Sequence, residues 1–332
     1  MQRTLTYEIT EEYDGMEILA FLRQKGFSRN ILSSMKKSRQ TIMQNKEQSY
    51  SHSILQNGQR GYGHSILKKG DTLTVHIPET ESDEKIIPVK MELDILYEDE
   101  DILVINKAAN VPIHPSIGNY ENTLANGVAY YFAQKGQNFV YRCINRLDRD
   151  TTGALILAKN PYSAAILSTQ MKRREIRRTY LAIVEGIPPK SGTIDAPIGR
   201  VDGSAITRQV DYEHGERAVT HFTRLDVVEK NLPVSPLSQS AEQCSSSFEP
   251  SAKQCYSLIE LHLETGRTHQ IRVHMKHLGY PLPGDYLYHP DYRIIGRQPL
   301  HSYQLEFVHP VTEKPMLFTA PVPLDFVQAF SR

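Results

Sequence analysis

Apolar residues in the first 80 positions recur first at helical spacing and then in alternation. Asp14 and Glu17 are spaced as a capping box, and Ser28 is placed to cap a second helix. From Leu73 to Ile77, apolar residues alternate with polar ones, as in a strand with one buried face. The apolar residues behind the two caps are Ile18, Leu19 and Leu22, then Ile31, Leu32 and Met35. Residues 1–80 are therefore predicted to form a small separate module.

Beyond residue 80 the pattern changes. Residues 81–90 carry mixed charge and a proline, which predicts a linker. Short apolar runs then predict strands at Ile102–Ile105, Ala154–Ala158 and Tyr180–Val184. Asn160-Pro161 is typical of a helix start, with an N-cap followed by proline at the first helical position.

A long connection interrupts the second half of the chain. Residues 218–230 and 256–264 are predicted to be two strands. The segment 231–255 between them is rich in Ser, Pro and Gln and has little apolar surface to bury, so it is predicted to be a flexible insertion. The predicted organisation is thus a module at 1–80, a linker at 81–90 and a main domain at 91–332.

The segment Asn145–Gly153 is a polar turn that leads directly into an apolar strand. It contains two aspartates, Asp148 and Asp150, and two arginines, Arg146 and Arg149. Removing such charges from water costs several kcal/mol unless pairing compensates. The turn therefore contains either a structural ion pair or a reactive carboxylate.

A second polar cluster, Thr265–His274, begins at a Gly turn after a predicted strand, and Arg267 and Arg272 flank His269 within it. The spacing of its histidines matches no usual zinc pattern, so no metal is predicted. Arginine beside a Gly turn favours a phosphate or carboxylate partner. We expect Arg272 to pair with Asp148, lower its pKa and keep it ionised for nucleophilic or base chemistry.

Composition excludes several classes of protein. Acidic and basic residues number 38 each, which gives no overall field for a polyanion. There is no P-loop, GxGxxG or GxSxG motif. The N-terminus lacks an apolar signal region, and no apolar run approaches roughly 18 residues. With three cysteines and no CxxC pair, the sequence predicts a cytoplasmic protein without a membrane partner.

The predicted helix pair of the N-terminal module is locally basic. Two interpretations are equally open: an RNA-binding surface, or an ordinary solvated face. The basic residues of this pair are Arg23, Lys25, Arg29, Lys36, Lys37 and Arg39.

Taken together, these blocks resemble the RluA-type RNA pseudouridine synthases. Asn145–Gly153 is similar to the family signature H-R-L-D-x-x-T-S-G, whose catalytic Asp falls on Asp148. Tyr180 matches the active-site tyrosine, and Arg272 matches the arginine that pairs with the Asp. Further similar blocks follow in family order from Leu93 to Phe326, among them Ile105-Asn106-Lys107, His114-Pro115, Gly284-Asp285, Leu300-His301 and His309-Pro310. Residues 1–80 resemble, more weakly, the S4-like RNA-binding domain of some members.

The resemblance implies an α+β fold with a mixed, largely antiparallel sheet and a central catalytic cleft. It implies isomerisation of uridine to pseudouridine in ribosomal or transfer RNA by a monomer that needs no cofactor or metal. Asp148, Tyr180 and Arg272 would be catalytic. Residues implied to bind substrate are Arg146, Arg267, His269, Gln270 and Leu287.

Two departures from the family pattern leave alternatives open. Asn145 stands where His is usual, and Lys107-Ala108-Ala109-Asn110 stands where Lys-Pro-x-Gly is common. Asn145 supports the main alternative, a non-catalytic RNA-binding protein that keeps the fold. A glycosidase would need opposed carboxylates, and Asp148 and Asp150, two apart on one turn, are poorly placed for that.

Overall fold

The computed structural model describes residues 3–44, 53–78, 86–116, 118–233 and 251–331, with the side chains of 37–44, 251 and 252 left aside. Of the predicted linker, only 86–90 falls within these ranges. Of the predicted insertion, 234–250 lies outside them, Cys244 included.

The N-terminal module packs two helices on an antiparallel sheet, which has the order β1-β4-β2-β3 in the described residues. A single 3₁₀ turn, Glu11–Tyr13, precedes the helices. The elements are β1 (Arg3–Glu8), α1 (Ile18–Gln24), α2 (Arg29–Gln44), β2 (Ile54–Gln56), β3 (Gln59–Arg60) and β4 (Thr72–Ile77).

One of the two predicted helix caps is present. Ser28 accepts a hydrogen bond at Oγ from the Ile31 amide, 3.3 Å away. The capping box at Asp14 and Glu17 is wrong. Glu17 is the N-cap of α1 but makes no side-chain cap bond, and the Asp14 carboxylate accepts from the Lys69 amide instead. Gly15 turns the chain between the two acidic residues with φ 76°.

The main domain contains a mixed sheet that is antiparallel at every described pairing except β7 with β14. Its order is β5-β6-β7-β14-β8-β13-β12-β9, with β15 on β14, and β10 pairs separately with β11. The helices are α3 (Leu124–Gln134), α4 (Pro161–Lys172), α5 (Gln270–His277) and α6 (Leu324–Phe330). The strands are β5 (Asp94–Glu98), β6 (Ile102–Lys107), β7 (Thr152–Ala158), β8 (Arg177–Glu185), β9 (Ser191–Asp195), β10 (Ile198–Arg200), β11 (Arg208–Val210), β12 (Val219–Pro233), β13 (Ser251–Leu263), β14 (Leu300–Val308) and β15 (Pro315–Thr319). The predicted α+β class with a largely antiparallel sheet is confirmed.

The strands that flank the insertion run further than the sequence predicts. Asn231–Pro233 pair with Ser251–Lys253, so both ends of the segment 231–255 are hairpin strand. Pairing with a neighbour satisfies the backbone of these polar residues, which composition alone cannot reveal.

The strand β7 lies inside the sheet between β6 and β14, and every one of its residues is buried. This explains its uninterrupted apolar sequence, since a strand covered on both faces need not alternate. The predicted start of α4 is also confirmed: Asn160 accepts at Oδ1 from the Ser163 amide, with Pro161 in the first turn.

The N-terminal module shares its apolar core with α4. Tyr162 is buried in the same cluster as Phe21 and Phe27, and Ile166 packs against that cluster. The Tyr162 hydroxyl donates to the Lys25 carbonyl at 2.8 Å. The module therefore contacts the main domain through this helix.

Candidate active site

The polar turn is fixed to the sheet by its first residue. Asn145 is buried, accepts from the Ile156 amide at 2.8 Å and donates to the Ala154 carbonyl at 3.4 Å. At the other end, Gly153 has φ 107°, and a Cβ there would lie 2.3 Å from the Ser302 carbonyl oxygen. Glycine is thus required for β14 to approach β7, and Asn145 has a structural role in place of the usual histidine.

The helix α5 faces the polar turn and carries Arg272, which is buried. Arg272 Nη1 donates to Asp148 Oδ2 at 3.0 Å, so the ion pair predicted from the sequence is present. The same guanidinium donates from Nε and Nη2 to the two oxygens of Asp285, at 2.7 Å each. One arginine therefore joins two carboxylates from separate loops.

Burial and charge act in opposite directions on Arg272. Burial alone would lower its pKa, but the hydrogen bonds to Asp285 and the charges of Asp148 and Asp285 raise the pKa above its usual value. The arginine side chain is 1% exposed and that of Asp285 is 1%, whereas that of Asp148 is 25%. Of the two carboxylates, only Asp148 is accessible from solvent to an appreciable degree.

A buried lysine lies behind the turn. Lys107 Nζ donates to the carbonyls of Ala108, Val111 and Arg149, at 2.7, 3.0 and 2.8 Å. Burial lowers the pKa of Lys107 to about 7, against the charges of Asp150 and Asp148. Through Arg149, which follows Asp148 in the chain, the lysine fixes the backbone of the turn.

Asp148 lines two cavities. The first, which we call the Tyr180 cleft, has a volume of about 440 Å³, and its wall includes Tyr180, Arg146, Arg267 and Lys172. The second, the Tyr286 cavity, has a volume of about 310 Å³, and its wall includes Arg149, Tyr286 and Gln298. The residues shared by both walls are Arg146, Leu147, Asp148, His269 and Arg272.

The residues predicted to bind substrate are only partly brought together. Arg146 and Arg267 are exposed at the Tyr180 cleft, where Arg267 Nη1 pairs with Glu216. His269 has a left-handed φ of 59°, burial lowers its pKa, and its Nδ1 lies 2.9 Å from the Tyr288 hydroxyl.

Gln270 and Leu287, also predicted to bind substrate, differ in position: Gln270 lines the Tyr180 cleft and Leu287 does not. Gln270 is buried and its amide is fully engaged: it accepts from Thr265 and the Arg267 amide and donates to Val219 and Thr220. It therefore holds the Gly turn on β12. Leu287 packs in a small apolar cluster with Val273 and Tyr288 and lines neither cavity.

Sequence reasoning missed the roles of Asp285 and Lys107. Both lie in blocks that resemble the family, but nothing in the local pattern marks either as a buried charge. The available signal for Asp285 is Gly284, which has φ 71° and where a Cβ would lie 2.6 Å from the Ile295 and Arg297 carbonyl oxygens. A turn of that kind turns the following carboxylate inward, toward α5.

A buried thiol and two clusters of histidine and carboxylate groups in the described residues are further candidates for reactive groups. Burial raises the pKa of the Cys143 thiol to about 12, so it is not a thiolate nucleophile at neutral pH. Two clusters have metal-like spacing, Asp99–Asp101–His309 and Glu185–His289–Asp291. His309 bonds Asp99 at 2.8 Å, His289 bonds Glu185 at 2.6 Å and Asp291 pairs with Arg293, so both clusters are internal hydrogen-bond networks.

Known proteins resemble this chain over most of its length. The model of the RNA pseudouridylate synthase family matches residues 101–277. An "uncharacterized RNA pseudouridine synthase" of Bacillus subtilis is 41% identical over 256 residues, covering 77% of this chain and 76% of that protein. The ribosomal large subunit pseudouridine synthase D of Zymomonas mobilis is 37% identical, covering 78% and 77%. The solved structure of human RNA pseudouridylate synthase domain containing 1 superposes with a TM-score of 0.52 at 27% identity, covering 69% of this chain and 83% of that one.

None of the helices in the described parts of the chain combines the length and apolar character that crossing a membrane requires.

Proposed function

The chain belongs to the RNA pseudouridine synthase family, and on that premise we propose that Asp148 is the carboxylate with which it isomerises uridine to pseudouridine. In this reaction the N1–C1′ bond breaks, the base rotates and C5 bonds to C1′. A proton leaves C5 and another is gained at N1, so no redox partner is required. Asp148 acts at the ribose, either by attack on C1′ or by removal of a ribose proton.

The observation that carries this assignment is the unequal use of the two carboxylates on Arg272. Asp285 accepts from Arg272 with both oxygens, while Asp148 accepts from it with Oδ2 alone and borders both cavities. Arg272 is thereby a positioning residue that Asp285 holds in place. It keeps Asp148 oriented and leaves one carboxylate oxygen for the substrate.

Tyr180 is proposed to stack on the target base and to take part in proton transfer. It lies on β8, buried, in the wall of the Tyr180 cleft. Aromatic stacking is a usual way to hold an unstacked base. Flipping the uridine into the cleft costs roughly a few kcal/mol, which Arg146 and Arg267 at the cleft help to offset by binding phosphate.

The basic end of α4 is proposed to follow the RNA backbone. Lys172 and Arg174 line the Tyr180 cleft beside the catalytic turn. Arg174 also pairs with Glu264 at 3.1 Å, so Lys172 is the better placed of the two for a phosphate. Such contacts make affinity depend on salt.

We propose ribosomal large-subunit RNA as the substrate, since the relatives include synthases of that name at 34–37% identity. Transfer RNA is the other outcome of the test. Pseudouridines would be mapped in both RNAs from a deletion strain, its parent and a strain that carries Asp148→Asn. A position lost in the first and third strains identifies the target. An unchanged map, or restoration by Asp148→Asn, contradicts the proposal.

The N-terminal module is proposed to bind RNA as an S4-like domain. Arg23, Arg29 and Lys36 are exposed on its two helices. Replacing all three by Gln should weaken RNA binding and lower its salt dependence. Because the module packs on α4, this substitution is preferable to deletion, which would expose apolar surface. Unchanged affinity for RNA would instead indicate that the basic residues of these helices form an ordinary solvated face.

We further propose that the enzyme acts as a monomer in the cytoplasm. Sedimentation of the purified full chain, with and without ribosomal RNA, tests the first part. A stable dimer without RNA would overturn it.

A further inference from the structure

The wall of the Tyr286 cavity includes Tyr286 and Gln298, which have no part in the proposed catalysis. The cavity shares the central residues Arg146, Asp148 and Arg272 with the Tyr180 cleft. A strand of RNA whose uridine enters the Tyr180 cleft therefore has a second concave surface immediately beside the reacting ribose.

Tyr286 is an exposed aromatic residue in the wall of this cavity, with 42% of its surface accessible. The Arg149 guanidinium lies 5.1 Å from its ring centroid and that of Arg272 lies 5.7 Å away. An exposed aromatic ring beside cationic groups is a usual platform for stacking a nucleobase.

Gln298 provides a second, independent observation. It lines the same cavity and is 1% exposed. Neither its amide oxygen nor its amide nitrogen has a hydrogen-bond partner among the described residues. A buried amide without partners is unfavourable in a folded protein. The donor and acceptor pair that it offers is complementary to the edge of a nucleobase.

We propose that the Tyr286 cavity binds the base of a nucleotide adjacent to the target uridine, with Tyr286 stacking on the base and Gln298 bonding its edge. This inference rests on the proposed function of the Tyr180 cleft. The enzyme thus holds two neighbouring bases beside Asp148, and part of its choice of uridine comes from the neighbour.

The test uses the full-length chain and short single-stranded RNAs with one central uridine. Three RNAs are compared: one complete, one with an abasic site on the 5′ side of the uridine and one with an abasic site on the 3′ side. Equilibrium Kd is measured, so that the result does not depend on turnover. For the wild type we expect Kd to rise about tenfold when the base is absent on one side.

Tyr286→Ala should bind the complete RNA about tenfold more weakly and should lose the difference between the complete RNA and that abasic RNA. Tyr286→Phe should keep the difference. The matched control is Tyr292→Ala, because Tyr292 is exposed in the same connection but lines neither cavity. An unchanged difference in Tyr286→Ala, or a wild type indifferent to both abasic sites, would overturn the proposal.

Gln298→Met tests the base edge separately. It removes the amide at similar volume, and because that amide has no partner in the described chain, Tm should not fall. The preference of the enzyme among the four bases at the neighbouring position should shrink. A lower Tm with an unchanged preference would assign Gln298 to the fold and overturn its role in binding.

Failure of this inference differs from failure of the proposed function. If Asp148→Asn retained pseudouridine formation, the catalytic assignment would fall while the abasic difference in Kd could still be present. If the abasic difference were absent and pseudouridine formed normally, only the second base site would be lost.

Discussion

The turn that carries Asp148 and the connection that carries Asp285 meet at one guanidinium, yet they hold their carboxylates very differently. Asp285 accepts from Arg272 with both oxygens and also from the amides of Leu287 and Tyr288. Asp148 accepts from Arg272 at Oδ2 and is 25% exposed. The two carboxylates thus differ in the number of protein donors from which each accepts, and this difference supports the proposed catalytic role of Asp148.

Of the two interpretations that the polar turn allows, this difference favours a reactive carboxylate. A structural ion pair should use the hydrogen-bonding capacity of both partners, because buried charge that is left unpaired is costly. Asp285 meets that condition and Asp148 does not. The chemistry proposed for Asp148 would depend on the arrangement in which a second carboxylate, distant in sequence, fixes the arginine.

Replacing the accessible carboxylate has the largest expected effect. Asp148→Asn should lower the rate of pseudouridine formation by about 1,000-fold or more, because a neutral amide is neither nucleophile nor base. Tm should change little, since the side chain is partly exposed and the amide oxygen can still accept from Arg272. Single-turnover conversion of the mapped RNA measures the rate.

Asp150→Asn is the matched control in the same turn. Asp150 pairs with Arg149. The rate of pseudouridine formation by Asp150→Asn should stay within about tenfold of wild type. Equal losses in the two variants would favour a pair of catalytic carboxylates and contradict a special role for Asp148.

Replacing the buried carboxylate should affect stability as well as activity. Asp285→Asn removes one charge from a buried pair, which typically costs 3–5 kcal/mol. We expect about 3 kcal/mol in the free energy of unfolding by urea, since Asp148 still faces the arginine. Activity should fall too, because Arg272 loses its anchor. A fully stable variant would show that Asp285 does not hold the arginine.

Lys107 tests whether the turn depends on the support behind it. Lys107→Met leaves three buried carbonyls without their donor, at roughly 2 kcal/mol in the free energy of unfolding. Urea unfolding measures the cost. Activity should fall with it, because the Asp148 backbone loses its fixed position.

The same variant should change how stability depends on pH. Burial lowers the pKa of Lys107 to about 7, while the unfolded value is 10.5. Between these values the unfolded chain binds the proton that the folded chain has released, so this group adds stability as pH rises from 7 to 10.5. The free energy of unfolding of the wild type minus that of Lys107→Met should therefore rise with pH over this range. A difference that is flat across the window would contradict it.

Replacing Lys172 should leave the carboxylates of Asp148 and Asp285 unaffected, and it has the smallest expected effect. Lys172→Gln should weaken RNA binding severalfold and lower the slope of log Kd against log salt by about 0.7–0.9, as for the loss of one phosphate contact. Tm should stay constant. A matched change at Lys253, which is exposed on β13 and paired with Glu229, should leave the slope unchanged.

The sequence was sufficient for the pairing of Asp148 with Arg272, because both stand in dense polar blocks at the ends of apolar strands. It was also sufficient for the caps at Ser28 and Asn160, which are local features. It was insufficient for Asp285 and Lys107, since each acquires its role only when distant segments meet around it. It was insufficient for the surroundings of Leu287 for the same reason: its neighbours in the sequence do not reveal that it packs on Val273.

The position of α4 has a further consequence. Tyr162 and Ile166, near its start, belong to the core of the N-terminal module, and Lys172 at its end lines the Tyr180 cleft. From Tyr162 to Lys172 the helix rises about 15 Å, at 1.5 Å per residue. The start of this helix therefore lies in the core of the N-terminal module, and its end lies at the Tyr180 cleft. If the module binds RNA as proposed, the RNA would meet the cleft at a distance that this helix sets, and that distance would contribute to the choice of uridine.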